Sequence, residues 1–357
     1  MSYKVLHVYP QLNCGGTETV FYSLIKASDK NMFSYDILVQ KRGQQDAAFE
    51  KLGCNIITIP YESVEQYHEA LAKLFAENRY QAVHCHMFSK MYIVLEEAKK
   101  SGVPHCVAHS HNARVDIPKI LWPLRYFKHH KYEKYATDLF GCSELALKWL
   151  FPVRWKEGKV IYNGIDLDEF GFDMDVREQY RRKLGVSEET KVVINVGRCT
   201  NQKNQEFILE CAKRLNNANI LFVIIGEGPL LNFLQTKIKE ENISNVLMLG
   251  KQFDVAQWLC AADIFMFPSV YEGLGIVAIE AQANGLPVLA TDTIPAEADM
   301  QMGTFWRIPL KNADKWREML NGISIDYKTR KKKSIEAYKS KYNIKNVIKE
   351  VEKIYLK

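Results

Sequence analysis

The sequence contains no run of about 18–20 apolar residues, the length that a membrane-crossing helix requires. Its first residues, Met-Ser-Tyr-Lys-Val-Leu-His-Val-Tyr, read directly into a strand without the apolar core of a signal peptide, so a cytoplasmic protein is expected. The eight cysteines form no C-x-x-C pair and show no Cys/His spacing typical of zinc ligands. Free thiols in a reducing compartment are therefore expected, rather than disulfides or a metal centre. No G-x-G-x-x-G follows the leading strand of either half, which argues against a dehydrogenase. No low-complexity linker divides the chain.

What is present describes an ordinary globular protein: 357 residues, 47% hydrophobic and 25% charged. That length exceeds what one ordinary core organises, so two domains are expected. Short β-rich runs at Lys4–Tyr9, Tyr35–Val39, Asn55–Ile59, 82–87, Cys106–Ser110, Asp138–Cys142 and Lys159–Tyr162 alternate with helical spacing, as in Ser63–Glu77 and Met91–Ser101. The alternation restarts at Val192–Val196 and continues through Ile220–Ile225, Val246–Leu249, Asp263–Phe267 and Pro287–Ala290. Apolar strands separated by helices imply parallel sheets covered on both faces. The expected class is α/β, with two doubly wound Rossmann-like domains that divide near Asp166–Phe172.

The net charge of +6 is unevenly distributed. Residues 324–357 carry 11 Lys+Arg against 4 Asp+Glu, including the tract Lys328–Lys333. Residues 114–134 hold Arg114, Lys119, Arg125, Lys128, Lys131 and Lys134 against Asp116 and Glu133, interleaved with Trp122, Tyr126, Phe127, His129 and His130. Such a stretch suits an anionic membrane surface, and equally a solvated helix face packed on its own domain. The charge is local and no nucleic-acid motif accompanies it, so no nucleic-acid partner is expected.

In doubly wound sheets ligands bind beyond the C-terminal ends of strands, where every candidate motif falls. Gly15 and Gly16 follow the first strand and precede a helix whose free N–H groups can meet an anion, although paired glycines also simply make tight turns. Gly197-Arg198-Cys-Thr-Asn-Gln-Lys203-Asn204 places two cations at a strand-to-helix turn, the chemistry of a phosphate clamp. Gly226-Glu227-Gly228-Pro229 reads as a turn. Glu272-Gly273-Leu274-Gly275 opens the apolar stretch that begins at Ile276 and contains Glu280. A charged Glu280 there is costly unless a polar partner meets it. A ribose or sugar hydroxyl would serve, and the set points to a nucleotide-sugar site.

This ordered set resembles the retaining family-4 glycosyltransferases of the two-domain GT-B fold, over nearly the whole chain. The resembling segments are Gly15-Gly16-Thr-Glu18, Asn163-Gly164-Ile165-Asp166, Gly197-Arg198 with Gln202-Lys203-Asn204, and the Glu272/Glu280 pair. His109-Ser-His111-Asn112 resembles the capsule and exopolysaccharide branch. Thr17 and Cys199 depart from the commoner Ala and larger apolar residue. The resemblance implies domains facing across a cleft: an acceptor-binding domain over 1–168, a donor-binding domain over 169–335, and a helix over 336–357 returning to the first. It implies that Arg198 and Lys203 neutralise the donor diphosphate without a metal or other cofactor. Glu280 would meet the ribose, Glu272 the transferred sugar, and backbone N–H groups at Leu274–Ile276 donor oxygens. His109 would lie beside the anomeric carbon.

A carboxylate nucleophile, as retaining glycosidases use, has no candidate between Glu97 and Asp116. The resemblance instead implies same-face substitution in which the leaving diphosphate takes the acceptor's proton. The expected partners are a nucleoside-diphosphate sugar, with UDP favoured, and a lipid-linked or oligosaccharide acceptor, with peripheral contact to an anionic membrane. A nucleotide-sugar epimerase on the same fold and a non-catalytic glycosyltransferase partner are the alternatives.

Overall fold

Strands such as Val5–Tyr9 and Val192–Val196 are buried along their whole length, a state available only to parallel strands covered by helices on both faces. The computed structural model describes residues 3–13, 15–86, 90–111, 122–215, 219–324 and 326–357. Cys14, Met87, Asn112 and the 114–121 part of the basic stretch lie outside the described residues, as do the side chains of residues 122–128.

The first unit contains β1 (Tyr3–Tyr9), α1 (Gly16–Ala27), β2 (Phe33–Val39), α2 (Asp46–Lys51), β3 (Asn55–Thr58), α3 (Val64–Glu77) and β4 (Ala82–Cys85). It continues with α4 (Met91–Lys100), β5 (His105–Ser110), α5 (Trp122–Tyr135), β6 (Asp138–Gly141), α6 (Glu144–Leu150) and β7 (Lys159–Val160). Its seven strands lie in the order β3-β2-β1-β4-β5-β6-β7, every pair parallel. Ser63 and Ser143 cap α3 and α6, accepting from Gln66 N–H and Ala146 N–H.

The second unit runs through α7 (Met174–Leu184), β8 (Lys191–Val196), α8 (Gln205–Arg214), β9 (Ile220–Ile225), α9 (Leu231–Glu240), β10 (Val246–Gly250) and α10 (Val255–Ala261). There follow β11 (Ile264–Phe267), α11 (Ile276–Ala283), β12 (Val288–Thr291), β13 (Phe305–Ile308), α12 (Ala313–Gly322) and α13 (Tyr327–Glu336). The six strands, all parallel, are ordered β10-β9-β8-β11-β12-β13. The last of these, β13, carries no unbroken apolar run and is not expected from the sequence.

The last helix, α14 (Ile344–Tyr355), belongs to the first unit, which comprises Met1–Ile165 and Ile344–Lys357; the second comprises Asp166–Asn343. Ile344, Val347, Ile348, Val351, Ile354 and Tyr355 are buried, the spacing of one helical face. They share a core with Phe21, Leu24 and Ile25 of α1. The sequence boundaries at 168 and 335 differ from these because residues 337–342 pack within the second unit. Ala337 is buried, Tyr338 donates to Leu167 O at 3.2 Å and Tyr342 donates to Glu297 O.

The Gly226 turn acts as a spacer for the neighbouring loop. Gly226 has φ +144°, and a Cβ there would stand 2.0 Å from Gly197 O. Gly226→Ala is expected to destabilise the second unit by at least about 2 kcal/mol, lowering Tm by about 5 °C. A thermal-melting shift below about 1 °C would show that the turn yields freely.

Candidate active site

In the second unit the strand order reverses between β8 and β11, the position where doubly wound sheets bind ligands. The loops after these strands, 197–204 and 268–275, are knitted together there. Gln202 Nε2 donates to Tyr271 O at 3.0 Å, Val270 N–H to Gln202 O at 2.8 Å and Asn204 Nδ2 to Pro268 O at 3.2 Å. Asn195 Nδ2 joins the two strands through Met266 O at 2.9 Å.

This arrangement brings Lys203 and Glu272 together, with Nζ 2.6 Å from Oε1. Their side chains are 19% and 9% exposed. The Lys203 stem lies along Gly197, and its ammonium stands 5.5 Å from the Phe267 ring centroid. An ammonium carries three N–H donors, so the pair with Glu272 leaves two for an oxygen anion. Arg198 is exposed, and among the described residues its guanidinium has no ion-pair partner. The loop thus holds one cation oriented by a carboxylate and a second cation free to reach.

Gly273 and Leu274 lead into α11. Gly275 precedes the helix with φ +91°, and a Cβ there would meet the Phe267 ring at 2.8 Å. The N–H groups of Ile276 and Val277 then open the helix, where first-turn donors have no intrahelical partner. Glu280 lies inside α11 and is 8% exposed. Burial, reinforced by repulsion from Glu169 and opposed by Lys203, pushes its carboxyl up to about 8. Glu280 therefore holds a proton near neutral pH, in keeping with the cost of a charge inside this apolar helix.

The first unit has its own reversal point, between β1 and β4. Gly15 is extended (φ −145°) ahead of α1, whose first residue is Gly16. Glu18 folds back over this loop: a Cβ on Gly15 would lie 2.5 Å from its Oε2, which also accepts from Thr17 Oγ1 at 2.7 Å. A carboxylate at this helix start discourages an anion and suits hydroxyl donors.

Strands β1, β4 and β5 also bring five histidines together, of which the sequence reading singled out His109 for a site role. His7 Nδ1 is hydrogen-bonded to His86 Nε2 at 3.0 Å, and His86 Nδ1 to His111 Nε2 at 2.8 Å. His84 Nε2 meets His109 Nδ1 at 3.0 Å, while His84 Nδ1 meets the Tyr355 hydroxyl at 2.5 Å. Burial holds all five rings below the usual imidazole range, His7 at about 3 and His111 at about 4. Neutral imidazoles are also metal ligands. One ring nitrogen from each of His7, His84 and His86, or of His86, His109 and His111, lies within 4.8 Å of the others, close enough to hold an ion. His84, His86, His109 and His111, with Thr17 and Asn163, line a cavity of about 20 Å³, so His109, Thr17 beside the paired glycines and the Asn163 segment converge. The signal in the sequence was the pair of H-x-H repeats, His84-Cys-His86 and His109-Ser-His111, which period two places on one face.

The candidate residues therefore form two groups, one in each unit: Gly15, Gly16 and His109 in the first; Arg198, Lys203, Glu272–Ile276 and Glu280 in the second. Among the described residues the cysteines form no disulfide and are buried. No described helix is long and apolar enough to cross a membrane.

Comparison with known proteins accounts for both units. Residues 14–169 match the family described as Glycosyltransferase Family 4, and residues 176–348 match Glycosyl transferases group 1. The chain is 30% identical over 324 residues to the putative glycosyltransferase EpsF of Bacillus subtilis, covering 86% of this chain and 84% of that protein. It is 30% identical over 236 residues to the UDP-Gal:alpha-D-GlcNAc-diphosphoundecaprenol alpha-1,3-galactosyltransferase of Escherichia coli, covering 62% and 60%. Among solved structures it is similar to Anabaena Alr3699/HepE in complex with UDP and glucose, with TM-score 0.82 at 17% identity over 99% of each chain.

Proposed function

Because the chain belongs to glycosyltransferase family 4 and has the two-domain GT-B fold, we propose that it transfers a sugar with retention from a UDP-sugar to a lipid-linked or saccharide acceptor. The place of this transfer would be surface-polysaccharide assembly at the cytoplasmic face of the membrane. The observation that carries this reading is the Lys203–Glu272 pair beside Arg198, which is exposed and has no ion-pair partner among the described residues. Lys203 keeps two donors for the diphosphate while Glu272, held in place, accepts from a sugar hydroxyl. Arg198 adds a bidentate contact, and the N–H groups of Leu274–Ile276 meet further donor oxygens. The UDP carried by the Anabaena structure and the UDP-Gal named for the Escherichia coli relative support a uridine donor.

Two cations on the leaving diphosphate do the work of a metal, stabilising charge as the glycosidic bond lengthens. The transition state is oxocarbenium-like, and the leaving oxygen takes the acceptor's proton on the same face. The Gly15–Glu18 loop presents its carboxylate to hydroxyls, and His109, whose Nε2 has no partner among the described residues, is the first-unit ring assigned to meet the sugar. A panel of UDP- and GDP-sugars tests the reading by thermal shift. At a hundredfold excess over Kd a true donor stabilises by about 2.7 kcal/mol. Stabilisation by GDP-sugars alone would overturn the uridine assignment. Donor conversion without transfer to any acceptor would favour an epimerase.

The exposed cations of α5 support a lipid-linked acceptor. His129, Tyr132 and Glu133 are buried, whereas His130, Lys131 and Lys134 are exposed. Glu133 accepts from Val153 N–H and Arg154 N–H, so its charge faces inward and leaves a cationic outer face. In the second basic tract, Arg330 is instead buried against Asn284 and Ala262. Each basic group near an anionic bilayer contributes about 1 kcal/mol. Lys131→Glu with Lys134→Glu is expected to weaken binding to anionic vesicles at least about tenfold and to spare transfer to a short water-soluble acceptor. Wild-type protein that ignores such vesicles at low salt would remove the membrane from the reading.

A further inference from the structure

Tyr355 closes α14, the helix by which the chain returns to the first unit. Its hydroxyl is buried, and its one described partner is His84 Nδ1. A phenol has a single proton to give, and among the described residues only His84 stands to take it. Among the described residues the Tyr9 hydroxyl nearby has no hydrogen-bond partner. Burial raises the Tyr355 phenol well above its ordinary range and holds the His84 imidazole well below its own, so phenol and neutral ring coexist across the working pH range. When Tyr355 donates, His84 Nδ1 is the accepting nitrogen and its proton resides on Nε2. That N–H in turn donates to His109 Nδ1 at 3.0 Å. His109 must then carry its own proton on Nε2, which is buried, without a described partner, on a ring lining the small cavity beside Thr17 and Asn163.

We propose that Tyr355 and His84 are positioning residues that fix His109 in its Nε2–H tautomer, so that it presents a hydrogen-bond donor, never a lone pair or an imidazolium, to a sugar oxygen. The relay rests on the function proposed above only in what it says His109 meets. A donor at this point selects a hydroxyl or ring oxygen as its partner and cannot act as a base on the acceptor, which leaves that proton to the departing diphosphate. It also gives the returning helix a role in the chemistry of the first unit beyond burial.

The test is the tautomer itself. Nitrogen-15 spectra of the histidine rings in the full chain, with His109→Gln to assign the signal, are expected to show His109 protonated at Nε2 and unprotonated at Nδ1. Tyr355→Phe retains the ring and its packing but removes the donated proton. His84 and His109 should then exchange between tautomers, and kcat should fall about tenfold with a smaller change in KM for the donor, the signature of lost orientation at the reacting centre. Wild-type His109 protonated at Nδ1, or an unchanged His109 signal in a folded Tyr355→Phe protein, would overturn the relay. A tautomer that shifts as expected while transfer is unaffected would leave the relay standing and count against His109 facing the sugar.

Discussion

Lys203→Ala is expected to reduce transfer by about 10²–10³-fold, equivalent to ~2.7–4 kcal/mol of lost leaving-group stabilisation. Arg198→Ala should do the same, but the two variants should differ in stability. Arg198 is exposed and unpaired among the described residues, so its removal should leave Tm within about 1 °C of wild type. Lys203 is the partner of a Glu272 carboxylate that is 9% exposed. Its loss strands a largely buried charge and should lower Tm measurably. Both variants should bind UDP more weakly, since the proposed contact is to the diphosphate and not to the sugar. EDTA should leave wild-type transfer intact. Activity lost on chelation and restored by magnesium or manganese would show that a metal carries the diphosphate charge.

For Glu280 the expected result is a pH dependence. Its carboxyl is pushed up to about 8, chiefly by burial, whereas two ribose hydroxyls are best met by the ionised form. UDP binding should therefore release a proton and tighten by about tenfold between about pH 6.5 and pH 8, flattening above. Glu280→Gln should weaken UDP and abolish this slope. Glu272→Ala should weaken the UDP-sugar but leave free UDP nearly unchanged; equal effects of both variants on free UDP would refute the division of roles. The same raised pKa determines the sign for stability. The unfolded chain loses this proton near 4.5 and the folded chain near 8, so the folded state binds the extra proton between them. The stability conferred by the protonated acid is complete below about pH 4.5 and is lost as the pH rises to about 8. Glu280→Gln should thus gain on wild type in thermal melts across that window.

Strands buried on both faces could be read directly, because such burial demands unbroken apolar runs, as in Ile220–Ile225. Phe305–Ile308 was missed for the converse reason. This edge strand pairs only with β12 and leaves Arg307 exposed, so its pattern carries no continuous apolar signal. The motifs were legible as well, since Gly197–Asn204 and Glu272–Ile276 follow strands at positions where loop residues need not serve a core. Arg330 was not separable from the lysines around it, because a buried arginine differs from an exposed one only in the carbonyls that surround it.

By itself the sequence determined two α/β units, their glycine turns and the residue types available to meet a diphosphate and hydroxyls. Only tertiary structure decided that Lys203 pairs with Glu272, because β8 and β11 become neighbours although β9 and β10 intervene in the chain. It likewise decided that His84, His109 and Tyr355 form one relay, and that Glu280 holds its proton near neutral pH. Local spacing sets which side of a strand or helix a residue occupies. Adjacency between distant strands and the loss of water around a carboxyl arise only when the whole sheet and its covering helices have closed.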